Sequence, residues 1–399
     1  MRIAGIIAEY DPFHAGHAAH IAATRHPEGG NATHMVAVLS GSFTQRGEPA
    51  LMTKFHRAEM ALRCGVDLVV ELPLPWAMAP AERFATGGVA LLEALGCVDV
   101  LSFGSECGNI HDLQKLAALQ ETPAFGEALR RYMDTGIPYA AARQAAAAEH
   151  LGEEVAAHLA TPNNTLGVAY MQAANELKSN LSFYTLKRKG SGHNDAAPKD
   201  GYATAGQLRK WIRAHQVNEV QKYMPQAAVD VLKRALDKHE TPANETALET
   251  ALLARLRTMS EQEFGNLPYL SEGLENRLYR AVRSSANAQE LWDSISTRRY
   301  PQARLRRILW AALLGFTKDN LAQTPPYIRV LGMNKKGEEI LAAANPTLPL
   351  FTKSSQLKPL SPACQALFAL EQRATDLHAL ALPTPPPCGA DCTKKLLRL

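Results

Sequence analysis

The stretch Ala8-Glu9-Tyr10-Asp11-Pro12-Phe13-His14-Ala15-Gly16-His17 sets two histidines around a glycine directly after a short apolar run. If that run is a strand and a helix starts near His17, both imidazoles stand at the helix N-terminus. Free backbone N–H groups and the helix dipole favour an anion there. Gly16 has no Cβ, so backbone can approach a phosphate closely. Two imidazoles can donate hydrogen bonds to phosphate oxygens that gain charge in an in-line displacement. The chemistry that fits is attack on the α-phosphate of ATP with loss of pyrophosphate. The same spacing also suits histidines that only serve a loop carbonyl or carboxylate, and alone it does not separate the two.

Two more stretches carry chemistry. In SGSFTQRGEPA (40–50), Ser40, Ser42, Thr44, Gln45 and Arg46 could bind phosphates or line a small-acid pocket, with Lys54, His56 and Arg57 following on a helix. They could equally cap that helix and stay solvated; of these, Gln45, Arg46 and Lys54 are the candidates for function. In RRYPQARLRRILW (298–310), Arg298, Arg299, Arg304, Arg306 and Arg307 crowd ten positions, with Tyr300 and Trp310 interleaved. That pattern suits phosphate contact and base stacking on RNA, and it also suits a solvated helix face. Arg277, Arg280 and Arg283 repeat every three residues and could extend the same face.

These residues need elements to hold them. RIAGIIA (2–8), HMVAVLS (34–40), DLVVELP (67–73) and VDVLSFG (98–104) are apolar nearly throughout, as strands buried on both faces are. Amphipathic helices are predicted near 17–25, 54–64 and 80–95, which gives the βαβ pattern of a parallel sheet covered by helices. Ligands in such sheets gather at the carboxyl ends of the strands, where the histidine pair falls. Residues 110–180 are Ala- and Leu-rich and read as a helical insertion. LSFYTLKRKG (181–190) reads as a returning strand, and ATAGQLRKWIRAH (203–215) as a small-residue turn opening a helix. The expected organisation is an ATP-binding domain over 1–215 and a mostly helical, basic region over 216–399.

Charge supports that division. The chain of 399 residues has a formal net charge of +4, from 43 Lys and Arg against 39 Asp and Glu. Residues 1–200 carry 16 basic against 21 acidic residues, and 201–399 carry 27 against 18. A polyanion would meet the second half. Six cysteines without a CxxC pair suggest reduced thiols. Cys388 and Cys392 could supply half a metal site, but nothing nearby completes one, so no metal ligands are assigned. The apolar run after Met1-Arg2 is too short for a signal peptide, and no stretch nears the ~20 apolar residues of a membrane helix. The expected compartment is the cytoplasm.

The sequence resembles the nucleotidyltransferase-like tRNA(Met) cytidine acetate ligases. The resemblance runs through GIIAEYDPFHAGH (5–17), VLSGSFTQRGEPALMTKFHRAEMALRCGVDLVVELP (38–73), LGCVDVLSFGSECG (95–108), TPNNTLGVAY (161–170), YTLKRKGSGH (184–193) and SEGLENRL (271–278), in the family's order. It implies a Rossmann-like α/β nucleotidyltransferase domain, a parallel sheet with helices on both faces, followed by a mostly α-helical region. It also implies activation of acetate as acetyl-adenylate and acetylation of the exocyclic amine of the wobble cytidine in elongator tRNA(Met), giving N4-acetylcytidine. The family's ATP-binding segment falls on Ile7, Ala8, Glu9, Tyr10, Asp11, Pro12, Phe13, His14, Ala15, Gly16, His17, Ala18, Ala19 and His20. Gly104, Asn163, Asn164, Arg188 and Lys189 match further nucleotide positions, with His14, His17 and Arg188 the implied catalytic set. A second phosphate-binding turn at a helix start falls on Thr204 and Arg209. Gly206 stands where a hydroxyl is usual, Lys189 where an apolar residue is usual, and His193 and Asn194 also depart. A divalent metal, expected to be magnesium, has no assigned site. The readings set against this one are an adenylyltransferase for a small phosphorylated cofactor precursor, which needs no long basic extension, and a non-catalytic tRNA-binding protein. No membrane and no obligate protein partner are expected.

Overall fold

The computed structural model describes residues 1–189, 197–271, 273–297 and 300–399. Its first half alternates β1 (Ile3–Ala8), α1 (Ala15–Arg25), β2 (His34–Ser40), α2 (Lys54–Arg63), β3 (Leu68–Leu72), α3 (Leu74–Ala77), α4 (Ala81–Ala94) and β4 (Val100–Ser105). The insertion follows as α5 (Ile110–Gln120), α6 (Pro123–Asp134), α7 (Tyr139–Leu151), α8 (Glu153–Ala156) and α9 (Pro162–Glu176), and β5 (Ser182–Lys187) returns to the sheet. Then come α10 (Ala205–Arg213), α11 (Val217–Val220), α12 (Gln226–Asp237), α13 (Glu249–Thr258), α14 (Glu261–Gly265), α15 (Leu274–Ser284), α16 (Ala288–Ile295) and α17 (Gln302–Leu314). The chain closes with β6 (Ile328–Met333), α18 (Lys335–Ala343), β7 (Leu350–Phe351), α19 (Pro362–Ala379), α20 (Ala390–Thr393) and β8 (Leu397–Arg398).

The sheet runs β5-β4-β1-β2-β3-β6-β7, with β8 on β6. β1 to β5 are parallel, and β6 pairs antiparallel with β3. Strand side chains alternate between faces, and here both faces are apolar. Ile3, Ile7, Val36, Val38, Leu68 and Val70 pack into the core that includes α4 and α9. Ala4, Ile6, Met35, Ala37, Leu39 and Val69 pack into the opposite core with α2, α10 and α12. This is why the strands read as continuous apolar runs rather than alternating ones. Helices α13 to α17 bury a third core of their own, around Leu256, Phe264, Leu278 and Leu305.

Parallel strands put all their carboxyl ends on one edge. β1, β2, β4 and β5 therefore deliver Glu9, Gly41, Glu106 and Arg188 to the same side of the molecule. The region past 216 is helical through α17, and beyond it the chain returns to that sheet: β6 closes the β3 edge, and α18 and α19 pack back on the domain.

Candidate functional site

The His14-Ala15-Gly16-His17 turn is a helix cap built from histidines. The Gly16 N–H donates to His14 Nδ1 at 3.0 Å, and the His14 N–H donates to His17 Nδ1 at 3.2 Å. A ring nitrogen that accepts carries no proton, so each neutral imidazole keeps its proton on Nε2. The rings stack at 3.7 Å, and the Tyr10 and Phe13 rings brace His17 at 4.8 and 5.4 Å. Burial, then the neighbouring Arg188 and Arg209, lowers His14 to about 3; burial, then His14 and Arg188, puts His17 well below its usual value. Both rings are therefore neutral at physiological pH and keep two Nε2–H donors, on stacked rings, at the helix N-terminus. Gly16 is required for this: a Cβ there would stand 2.9 Å from His14 Cε1 and 3.0 Å from Nδ1.

His20, one turn further on, is fixed the other way. Thr24 Oγ1 donates to the His20 carbonyl at 2.8 Å, so it must accept from Ser102 Oγ at 2.7 Å. The Ser102 oxygen is then left to accept from His20 Nε2 at 2.8 Å. His20 thus presents a bare Nδ1, an acceptor suited to a ribose hydroxyl or an adenine amine. Burial, then Arg188, lowers its pKa to about 4.

These side chains line a cleft of about 240 Å³ with Ala19, Ala23, Gly104, Leu186, Lys187, Arg188, Lys189, Tyr202, Ala203 and Thr204. Gly104 lies under the Arg188 side chain, whose backbone N–H is tied to the Ser105 carbonyl at 2.8 Å. Thr204 caps α10, with its Oγ1 accepting from the Gln207 N–H at 3.2 Å. Arg209 docks that helix on the first turn through the Asp11 carbonyl at 2.8 Å. The cleft is therefore walled by α1, the ends of β4 and β5, and the start of α10.

Gly206 leaves room. A Cβ there would have no neighbour nearer than Thr204 Oγ1 at 3.8 Å. Gly206→Ser should therefore fold normally and gain up to about 0.5 kcal/mol in chemical denaturation from lower unfolded-state entropy. It should also lower KM for ATP by about two- to threefold through one added hydrogen bond; a raised KM would show that a side chain obstructs the phosphates.

Several expected positions lie elsewhere. Ile7 to Phe13, Ala15 and Ala18 do not line the cleft; Tyr10, Asp11, Pro12 and Phe13 are buried beneath the turn. Asn163 and Asn164 clamp the loop after β4. Glu106 accepts from the Asn164 N–H at 2.9 Å, and Asn164 Oδ1 accepts from the Glu106 N–H at 2.9 Å. Asn163 Nδ2 also reaches Glu106, at 2.6 Å. Both asparagines act on the loop that follows Gly104 and stand outside the cleft wall.

Lys54 is fully buried in an ion cluster, 2.6 Å from Glu71 and 2.7 Å from Asp391, so its charge is not offered to a ligand. Arg57, also fully buried, is not among the candidates drawn from the sequence. Its guanidinium donates to the Met52, Glu9 and Gly41 carbonyls and so ties the ends of β1 and β2 together. Its spacing three residues past Lys54 gives no sign of that role.

Gln45 joins the segment leading into the histidine turn through its backbone, with its N–H on Glu9 Oε1 at 2.6 Å. Its carbonyl accepts from Arg307 at 2.9 Å, which brings the 40–50 loop and the arginine-rich helix together. Arg306 pairs with Glu48, and Arg304 donates to the Tyr269 carbonyl and to Ser271. Tyr300 and Trp310 are buried, with Trp310 packed on Phe43 at 6.0 Å, so neither offers a stacking face. Arg277 and Arg283 are likewise turned to the Ser294 and Met259 carbonyls. Arg298, Arg299, His193 and Asn194 lie outside the described residues.

A model of the HIGH Nucleotidyl Transferase family matches residues 1–388. The tRNA(Met) cytidine acetate ligase of Thermoanaerobacter sp. (strain X514) is 36% identical over 406 residues, covering 100% of both chains. That of Syntrophotalea carbinolica is 38% identical over 404 residues, covering 96% of this chain and 95% of the relative. Among solved structures, Thermotoga maritima TmcAL bound with alpha-thio ATP superposes with a TM-score of 0.92 at 30% identity, covering 100% of both chains. The apo form gives a TM-score of 0.93 at 31% identity, with the same coverage.

Proposed function

The chain belongs to the tRNA(Met) cytidine acetate ligase family, and on that premise we propose that it activates acetate with ATP and acetylates the N4 amine of the wobble cytidine in elongator tRNA(Met). The observation that carries the reading is the pair of neutral imidazoles whose Nε2–H donors are fixed by their own helix cap. In the first step an acetate oxygen attacks the α-phosphorus and the bond to pyrophosphate breaks. Negative charge grows on the α-phosphate and leaving-group oxygens, where His14, His17 and Arg188 can donate. Their placement before the reaction removes the cost of reorienting them during it. In the second step the cytidine amine attacks the acetyl carbon, AMP leaves, and the amine loses a proton. The chain's part is then to hold two substrates in line rather than to form a covalent intermediate.

A divalent cation would come with the triphosphate. Among the described residues no group of three or more His, Cys, Asp or Glu side chains could hold one, and no protein ligand is assigned to it. A tRNA substrate supports a cytoplasmic location, and among the described residues no helix is long and apolar enough to cross a membrane.

Exchange of labelled pyrophosphate into ATP tests the first step, with tRNA both present and absent. Exchange that requires acetate is the expected result. Exchange driven instead by a phosphorylated cofactor precursor would favour a small-molecule adenylyltransferase, and no exchange under either condition would favour a binding protein.

A further inference from the structure

The loop from Gly41 to Ala50 is fastened almost residue by residue. Phe43 is buried against Trp310 and His378. The Thr44 N–H donates to the Glu48 carbonyl at 2.9 Å, and the Gly47 N–H to the Thr44 carbonyl at 2.9 Å. Gln45 is held at both backbone groups, by Glu9 and by Arg307. Gly47 has φ +75, and a Cβ there would stand 2.7 Å from the Arg307 backbone nitrogen, so the loop lies directly on α17. Glu48 completes the fastening through Arg306.

Arg46 sits in the middle of this mount and is exposed. Among the described residues its guanidinium makes no hydrogen bond, ion pair or ring contact. The neighbouring Gln45 N–H donates to Glu9, which leads from β1 into the histidine turn, so Arg46 follows the carboxyl end of β2 on the same sheet edge that carries the cleft. A long cation on a rigid base loses less freedom on binding than one on a mobile loop. Guanidinium is also the side chain best matched to phosphate oxygens.

A two-carbon acid needs an enclosed pocket, and Arg46 neither lines the cleft nor is enclosed. A macromolecular polyanion needs an exposed cation beside the reaction centre. Arg304, Arg306 and Arg307 each turn their guanidinium to the protein itself, whereas Arg188 and Lys189 line the cleft. Among the described residues of the 40–50 loop and α17, Arg46 is an exposed cation on a fixed base with no protein partner. We infer that Arg46 binds a backbone phosphate of the tRNA strand that carries the target cytidine. This rests on the acetate-ligase reading above.

The test uses the full-length enzyme with unmodified elongator tRNA(Met), acetate and ATP. Arg46→Ala should weaken tRNA binding about tenfold and lower the slope of log affinity against log salt by about 1, as loss of one phosphate contact does. KM for acetate and ATP should not change. Arg46→Lys should restore most of the salt slope, because it keeps the charge. A raised KM for acetate with tRNA affinity intact would overturn the assignment and place Arg46 in an acid pocket. Unchanged tRNA affinity and salt slope would overturn it as well. Wild-type enzyme that moves no acetate to tRNA would defeat the activity itself, a result separate from both.

Discussion

Replacing His17 with alanine is expected to lower acetate-dependent adenylate formation by about two to three orders of magnitude, the usual loss when a transition-state donor is removed. The substitution has two effects. It deletes the Nε2–H donor, and it removes the Nδ1 that receives the His14 N–H at 3.2 Å. The ring stacked at 3.7 Å on His14 goes too, so His14 loses its brace. kcat should fall far more than KM for ATP rises, because the role proposed for these donors is to meet charge that develops during the reaction. Stability should drop by only about 1 kcal/mol, the scale of one cap. Gly16→Ala provides a control with no donor deleted. Its Cβ would displace the His14 ring, so activity should fall by at least tenfold while both imidazoles remain. If Gly16→Ala were fully active, the cap geometry would not matter to the chemistry.

Asp391→Ala is expected to cost about 3–5 kcal/mol, the range for breaking a buried ion pair from one side. Asp391 bridges Lys54 and Arg329, each at 2.7 Å, and Glu71 meets the same two cations. Glu371 lies in the same cluster and accepts from the Leu74 N–H. Burial, then Glu71, raises the Glu371 carboxyl well above its usual range, so it stays protonated. Two cations then face two carboxylates and one neutral acid. Removing Asp391 leaves an unbalanced positive charge out of water. The segment after 388 would release first, taking β8 from β6 and weakening the closure of the β3 edge.

The same cluster sets a pH dependence. Burial pushes the Asp391 carboxyl up, but Lys54 and Arg329 outweigh it and hold the value at about 2. A carboxylate held below its unfolded pKa of ~3.9 contributes stability above that value and loses it as pH falls towards 2. Urea unfolding of wild type should show this loss between about pH 4 and 2, and Asp391→Asn should lack that part of it. The raised Glu371 carboxyl works oppositely, contributing stability that declines as pH rises above the ordinary carboxyl range. Glu371→Gln, which keeps a neutral polar side chain, should flatten that decline. A wild-type acid limb unchanged in Asp391→Asn would contradict the assignment of charge in this cluster.

The strands and the histidine turn were legible because one physical cause produces each signal. Burial on both faces leaves unbroken apolar runs, and HMVAVLS is β2 residue for residue. A glycine between two histidines has a local reason, since only glycine leaves space for His14 to fold back over its own helix. Long-range pairings were not legible. Lys54 reads as an available cation until Glu71 and the far more distant Asp391 come to it through the sheet. Arg304, Arg306 and Arg307 read as an RNA face because their partners are the Tyr269 and Gln45 carbonyls, which carry no sequence signal, and the side chains of Ser271 and Glu48, which lie far away in the sequence. Trp310 reads as a stacking residue only until α17 turns it towards Phe43. Composition anticipated the basic second half, but not that the chain from Ile328 onward returns to the sheet.

The most direct measurement is transfer of labelled acetate to unmodified elongator tRNA(Met) in the presence of ATP, followed by digestion and separation of the nucleosides. Label recovered as N4-acetylcytidine, dependent on ATP and lost in His17→Ala, is the predicted result. ATP consumed with no label on RNA would contradict the account and turn attention to a small-molecule acceptor for the adenylyl group.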